Sequence, residues 1–215
     1  MRKFKTIIFD CDGVLVDSEI IANRVDVEMK TQHGISITLE EQLQKFVGLS
    51  DQDPVMLEEM GRLPSDYRKK LHTLIRQTYH TELKAIDGVR ETLEKIQVPK
   101  CVVSNSDTES LLFKLRLTNI IKYFPNCAFS VEDVRRAKPA PDLYFHALAT
   151  MKWRSEDCLV VEDSVAGVQG AKAAGLFVCG FIGGGHMYPG HSDKLLNCGV
   201  DKLITDFREI LNLLD

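Results

Sequence analysis

Two acidic pairs stand where short apolar runs end. Asp10 and Asp12 close the run Thr6–Phe9 in Asp10-Cys11-Asp12-Gly13-Val14-Leu15-Val16-Asp17-Ser18, and Glu162-Asp163 closes the run 158–161. Carboxylates two residues apart at a strand end can approach one point, and Gly13 allows the sharp turn this requires. Carboxylates gathered at one edge repel each other unless a cation sits among them. Hard oxygen donors select Mg2+, which takes one or two carboxylates, keeps several waters and accepts substrate phosphate. Each pair alone has an ordinary explanation: Asp-x-Asp before glycine commonly makes a turn, and Glu-Asp-Ser before a helix commonly caps it, with Ser164 as the cap. Two further polar strand ends shift the balance. Ser104-Asn105-Ser106 offers hydroxyl and amide groups near a helix N-terminus, a setting suited to phosphate oxygens. Lys138-Pro139-Ala140-Pro141-Asp142 sets an ammonium beside two prolines that restrict its backbone.

The elements that must position these residues alternate. Short β-rich runs recur at 6–9, 101–103, 127–129, 158–161, 177–182 and 202–204, and helical patterns over 108–117, 141–151 and 164–174 separate several of them. Gly175 falls where a helix C-cap is expected. This alternation predicts an α/β fold: a Rossmann-like parallel sheet with helices on both faces and ligands at the carboxyl ends of its strands. One interval interrupts it. Between residues 19 and 83 only helical patterns occur, at 20–32, 39–46, 54–60 and 64–83, divided by Gly34, Gly48 and Gly61. The expectation is a catalytic core over 1–17 and 86–215, with an all-helical cap over 18–85 inserted after the first strand.

Composition excludes several classes. The 215-residue chain is 44% hydrophobic and 27% charged, with a net charge of −4. Nucleic-acid binding needs a basic face to meet phosphates, so no nucleic-acid partner is expected. No apolar stretch is long enough to span a bilayer, so no membrane partner is expected either. The six cysteines are scattered without CxxC spacing, mostly in apolar runs where a thiol serves as a small hydrophobe. With no signal peptide visible, the expectation is a reduced, cytoplasmic protein, monomeric by default.

Taken in order, Asp10-x-Asp12-Gly-Val-Leu, Ser104 after a strand, Lys138, and Glu162-Asp163 resemble the haloacid dehalogenase-like hydrolase superfamily. The helical insertion, Lys138-Pro139-Ala140-Pro141-Asp142 and Glu162-Asp163-Ser164-x-Ala166-Gly167 resemble its beta-phosphoglucomutase-like branch. Gly183-Gly184-Gly185-His186 is similar to a loop of sugar-phosphate phosphatases in that branch. The resemblance implies that Asp10 is a nucleophile forming an aspartyl-phosphate and that Asp12 is the acid and base. It implies that Ser104 and Lys138 hold phosphoryl oxygens, with Asn105 beside them. Mg2+ would be held by Asp10, the Asp12 carbonyl and Asp163, with Glu162 binding directly or through water. A small phosphorylated metabolite, a sugar phosphate or phosphorylated sugar acid, is the implied substrate.

Other chemistries of the superfamily that this chain resembles make different demands on these positions. Dehalogenases need neither Asp12 nor Asp163. Phosphonate hydrolysis needs a cap lysine, for which Lys30, Lys45, Lys69, Lys70 and Lys84 are available. A phosphohexomutase of this branch carries a cap histidine and a phosphate-gripping arginine. The register places Ala22 and Asp51 at those positions, and Asp51 would repel a second phosphate. Hydrolysis is therefore favoured over transfer back to sugar. A non-catalytic binding protein on this fold is disfavoured, because every matching position carries a competent residue. Glu19, Asn23, Arg24, Ser50 and Arg76 are the candidates for substrate discrimination.

Overall fold

The structure is a computed structural model and describes residues 3–47 and 54–214. Six parallel strands form one sheet in the order β3-β2-β1-β4-β5-β6. They are β1 (Thr6–Phe9), β2 (Lys100–Val103), β3 (Ala128–Phe129), β4 (Cys158–Glu162), β5 (Phe177–Phe181) and β6 (Lys202–Ile204). The central strands β1 and β4 are buried along their whole length, as parallel strands covered on both faces must be, which is why they read as unbroken apolar runs.

The chain leaves β1 for β2 on one side and later returns to β4 on the other. This reversal opens a crevice at the carboxyl ends of β1 and β4. Phe9 pairs with Val161, so the residues that follow, Asp10 and Glu162, emerge side by side, and the Asp10 amide donates to the Val161 carbonyl at 3.0 Å.

The core helices are α5 (Val89–Lys95), α6 (Thr108–Leu117), α7 (Asp142–Met151), α8 (Val165–Ala173) and α9 (His191–Asn197). Ser164 caps α8, its Oγ accepting from the Gly167 amide at 3.0 Å. Gly175, at φ +73°, follows the end of that helix. Helix α9 and a 3-10 turn at Phe207–Leu213 are not marked by the sequence pattern. Both are short, and α9 starts from Gly190 among breaker residues that mask its periodicity.

Four helices lie between β1 and α5: α1 (Ser18–Gln32), α2 (Leu39–Phe46), α3 (Pro54–Gly61) and α4 (Tyr67–Glu82). The expected start of the last at residue 64 moves to Tyr67, because Pro64 opens a tight turn whose carbonyl receives the Tyr67 amide. The two chain segments joining these helices to the core run side by side. Val16 bridges Ala85, the Asp17 amide bonds Lys84 O at 3.1 Å, and the Ile86 amide bonds Leu15 O at 3.1 Å. An excursion that leaves and returns through one paired neck leaves the sheet unbroken. No helix among the described residues is long and apolar enough to cross a membrane, and all six cysteines are free thiols.

Candidate active site

Three carboxylates and one ammonium meet where β1 and β4 end. Asp10, Glu162 and Asp163 bring oxygens to within 4.8 Å of one another, and all three are buried. Lys138, 3% exposed, reaches them from the loop before α7. Its Nζ donates to Asp10 Oδ1 at 2.5 Å, to Glu162 Oε1 at 2.6 Å and to the Val103 carbonyl at 3.0 Å. The Lys138-Pro139 peptide is cis.

One lysine against three buried carboxylates leaves the cluster short of positive charge. Burial, reinforced by the neighbouring carboxylates and only partly offset by Lys138, pushes the Asp10 carboxyl well up; burial and Glu162 do the same to Asp163. Burial would discharge the Lys138 ammonium, but the Asp10 and Glu162 charges outweigh it and hold its pKa well above the ordinary lysine value. A hard divalent cation would supply the missing charge, and the all-oxygen donor set fits one.

Glu162 is nevertheless committed elsewhere. Oε1 accepts from Lys138 and from the Tyr144 hydroxyl at 2.9 Å; Oε2 accepts from the Asp163 amide at 3.1 Å, the Ser164 amide at 3.3 Å and Ser164 Oγ at 3.2 Å. Gly167 lies against it so closely that a Cβ there would fall 1.9 Å from its carboxyl carbon. Five donors hold Glu162, which makes it an anchor for Lys138. Asn105 is tied in the same way. It lines the cavity, but its amide donates to the Lys138 carbonyl at 3.1 Å and its Oδ1 accepts from the Lys138 amide at 2.9 Å.

Asp12 stands apart from this cluster. Its carboxylate accepts from Ser18 Oγ at 2.5 Å, Ser106 Oγ at 3.0 Å and Ser104 Oγ at 3.3 Å, and both oxygens pair with Lys114. Burial raises its pKa, but the Lys114 charge and the bonds from Lys114, Ser18 and Ser106 win, so the net shift is downward and Asp12 is held ionised. Sequence reasoning missed Lys114. The available signal was a lysine on the apolar stripe of α6: Leu111, Lys114 and Leu115 are all buried, at the i, i+3, i+4 spacing of one helix face.

The cavity above these groups measures about 690 Å³. Asp10, Asp12, Ser104, Lys138 and Asp163 form its floor. Glu19, Ala22, Phe46, Val47, His72, Ile75, Arg76 and Tyr79, all from the α1–α4 segment, face them. Of the discrimination candidates, Glu19 and Arg76 line this space. Burial raises the Glu19 carboxyl to about 7, with the Asp12 charge adding to the effect. Asn23 donates instead to the Glu19 carbonyl at 2.9 Å, and Arg24 is spent on Glu28 and Glu82. Ser50 and Asp51 lie outside the described residues. Lys30, Lys45, Lys69, Lys70 and Lys84 are not among the residues lining the cavity.

A model of the haloacid dehalogenase-like hydrolases matches residues 4–175. The chain belongs to that family. This haloacid dehalogenase-like hydrolase is 36% identical over 193 residues to the 6-phosphogluconate phosphatase of Escherichia coli (strain K12), covering 88% of this chain and 87% of the relative. Its fold superposes on a solved haloacid dehalogenase-like protein of unknown function from Agrobacterium tumefaciens str. C58 with a TM-score of 0.90. Identity is 36%, over 97% of this chain and 96% of the other. A family hydrolase from Deinococcus radiodurans R1, solved with bound phosphate and sodium, gives a TM-score of 0.81 and 31% identity over 98% and 94% of the two chains.

Proposed function

We propose that this hydrolase is a Mg2+-dependent phosphatase of a small sugar phosphate or phosphorylated sugar acid, working through an aspartyl-phosphate on Asp10. The observation that carries the reading is the convergence of Asp10, Lys138 and Asp163 with Asp12 on the floor of one cavity. Lys138 holds Asp10 Oδ1, and among the described residues Oδ2 receives no hydrogen bond and is free to attack phosphorus. Attack forms the aspartyl-phosphate and breaks the ester P–O bond; Asp12 gives its proton to the leaving alkoxide. Water then attacks the same phosphorus, returning a proton to Asp12 and freeing Asp10 and inorganic phosphate. Phosphoryl transfer asks for little beyond in-line positioning and charge neutralisation.

Asp12 must therefore alternate between two protonation states. Its pairing with Lys114 favours the ionised form that the water step requires. The acid form requires Lys114 to loosen, and Lys114 lines the same cavity, where an arriving phosphate can draw its ammonium away. Ser104 is proposed to hold a phosphoryl oxygen with Lys138. Asp10, Asp163 and the Asp12 carbonyl would hold Mg2+, which would neutralise charge between the nucleophile and the phosphoryl oxygens. Glu162 and Asn105 would act by fixing Lys138. The helices α1–α4 are proposed as the cap that closes this cavity and discriminates substrates.

The substrate class is supported by the name of the Escherichia coli relative, a phosphatase of a phosphorylated sugar acid. Arg76 also lines the cavity, but its guanidinium is paired with Glu109 at 2.6 Å and would have to leave that partner to meet a second anionic group. Hydrolysis rather than mutase transfer is supported by Ala22 on the cavity wall, where the resemblance would put the mutase histidine. The test is release of inorganic phosphate from 6-phosphogluconate and a panel of sugar phosphates, with Mg2+ and with chelator. Mg2+-dependent release from at least one is expected. No turnover of any of them by folded protein would overturn the reading, and efficient conversion of beta-glucose 1-phosphate to glucose 6-phosphate would replace it with a mutase.

A further inference from the structure

The motif Gly183-Gly184-Gly185-His186 has no part in the reaction just described, yet it folds directly onto the acidic cluster. The loop leaves β5 and crosses the turn at Gly13. The Gly185 amide donates to Asp17 Oδ1 at 2.9 Å, and His186 is driven into the interior, 0% exposed. There its Nε2 lies 2.7 Å from Asp163 Oδ2. The pair is at hydrogen-bond distance but off its favoured direction, and neither ring nitrogen of His186 has a hydrogen-bond partner among the described residues. A buried imidazole with both nitrogens unsatisfied is costly unless it serves something.

The surrounding glycines are what admit the ring. A Cβ on Gly13, whose φ is +73°, would fall 2.5 Å from His186 Cε1 and 2.1 Å from Asp163 Oδ2; one on Gly184 would fall 2.8 Å from the same ring. His191 at the start of α9, its ring 6.1 Å from that of His186, lies with Nε2 2.6 Å from the Asp163 backbone carbonyl. Two histidines from the segment after β5 thus address the backbone and the side chain of one carboxylate residue.

We propose that His186 is a positioning residue of the cation site: its Nε2–H donates to Asp163 Oδ2, fixing that carboxylate and leaving the other oxygen for the cation. A small rotation of the carboxylate brings the bond into line. The inference rests on the proposed reading of Asp10 and Asp163 as divalent-cation ligands. Partners that orient a ligating group typically contribute 10–100-fold in metal affinity.

The test is a titration of the substrate-free, chelator-treated chain with Mn2+, following unbound ion by electron paramagnetic resonance. H186L fills the space without a donor. H186N carries an amide one methylene too short, and H186Q places an amide donor near the position of Nε2. H186L and H186N are expected to weaken Mn2+ binding about 10–100-fold and H186Q to stay within about threefold of the parent. Melting temperatures in chelator separate packing loss from cation loss. Parental affinity in H186L or H186N, or an H186Q as weak as H186N, would overturn the proposal; the Asn–Gln contrast stands even if H186L does not fold. A parent chain that binds no Mn2+ also overturns it, and phosphate release in chelator then judges the catalytic reading separately. Conversely, His186-dependent binding in a chain that releases phosphate from no ester sinks only the catalytic reading. At saturating Mg2+ the turnover of H186N is expected to recover, so that the loss lies in the Mg2+ requirement rather than in kcat.

Discussion

Among the described residues three lysines are buried: Lys114 pairs with the single carboxylate of Asp12, whereas Lys30 in the helical segment and Lys138 in the core each meet more than one carboxylate, and only the Lys30 cluster is complete. Lys30, 1% exposed, meets Asp26 at 3.2 Å, Glu59 at 3.1 Å and Gln42 Oε1 at 2.9 Å, and its ammonium lies 4.1 Å from the Phe46 ring centre. Tyr67 and Gln42 each donate to Asp26 at 2.7 Å, and Lys45 adds a second cation to Glu59. Two lysines balance two carboxylates. Burial alone would raise the Glu59 carboxyl, yet its bonds to Lys30 and Lys45 bring it below its ordinary value. At Lys138 the balance fails, and Asp10 and Asp163 are pushed up instead. The contrast teaches how a structural network differs from a reactive one. The first satisfies its own charges, whereas the second leaves a deficit that a cation and an anionic substrate can fill.

The largest effect expected from this contrast is catalytic. D10N should cut phosphate release by at least about 10³-fold, while D26N, in the closed cluster, should leave turnover per folded molecule within a few-fold of the parent. Comparable losses in both variants, measured at equal folded fraction, would erase the distinction.

The next effect is on stability. Removing one partner of a buried ion pair typically costs about 3–5 kcal/mol, so K30M and K138M should both lower the denaturant midpoint. Adding Mg2+ should separate the closed cluster from the cation ligands. The parent and K30M should gain stability with the ion, by about 2.7 kcal/mol at one hundred times its Kd, whereas D163N should gain little. An Mg2+ response in D163N equal to the parent's would place the ion elsewhere.

A smaller effect should appear with pH. In the metal-free chain, Asp10, Asp163 and Glu19 bind protons more tightly folded than unfolded. Stability should therefore fall as pH rises from the unfolded carboxylate range through the folded values, of which Glu19 contributes one at about 7. His186 and His191 act in the opposite sense. Burial lowers both, so their contribution is lost as pH falls below about 6.5. The carboxylate slope should thus stand alone above about pH 6.5, where melting temperatures in chelator should decline toward pH 8 and Mg2+ should flatten the decline. A rising slope there would contradict the charge deficit.

The smallest effect belongs to the surface of the helical segment. Arg62 and Glu58 pair four residues apart with side chains 65% and 68% exposed, and R62A should change stability by under about 1 kcal/mol and activity not at all.

Much of this was legible along the chain. The five parallel pairings join strands that read as short apolar runs, and the observed bounds of the strands fall within about a residue of the pattern. Asp10, Ser104 and Asp163 were identifiable because each follows a strand end, and in a doubly wound sheet all strand ends open toward one edge. Lys114 and His186 were harder. One is an ordinary-looking lysine in a helix, the other a histidine in a glycine loop, and each meets its carboxylate only through tertiary packing. The commitments of Glu162 and Asn105 to Lys138 were hidden for the same reason.

By itself, then, the order of residues determined the strand succession, the helical excursion after β1 and the acidic residues at the sheet edge, because apolar periodicity and turn chemistry are local and survive in one dimension. Tertiary structure alone decided which oxygens are free, which lysine neutralises which carboxylate, and that Asp12 rests ionised while Asp10 and Asp163 are driven up. Those outcomes depend on burial and on distances of a few ångströms between groups as far apart as 128 positions in the chain, and electrostatic energy varies with separation in space.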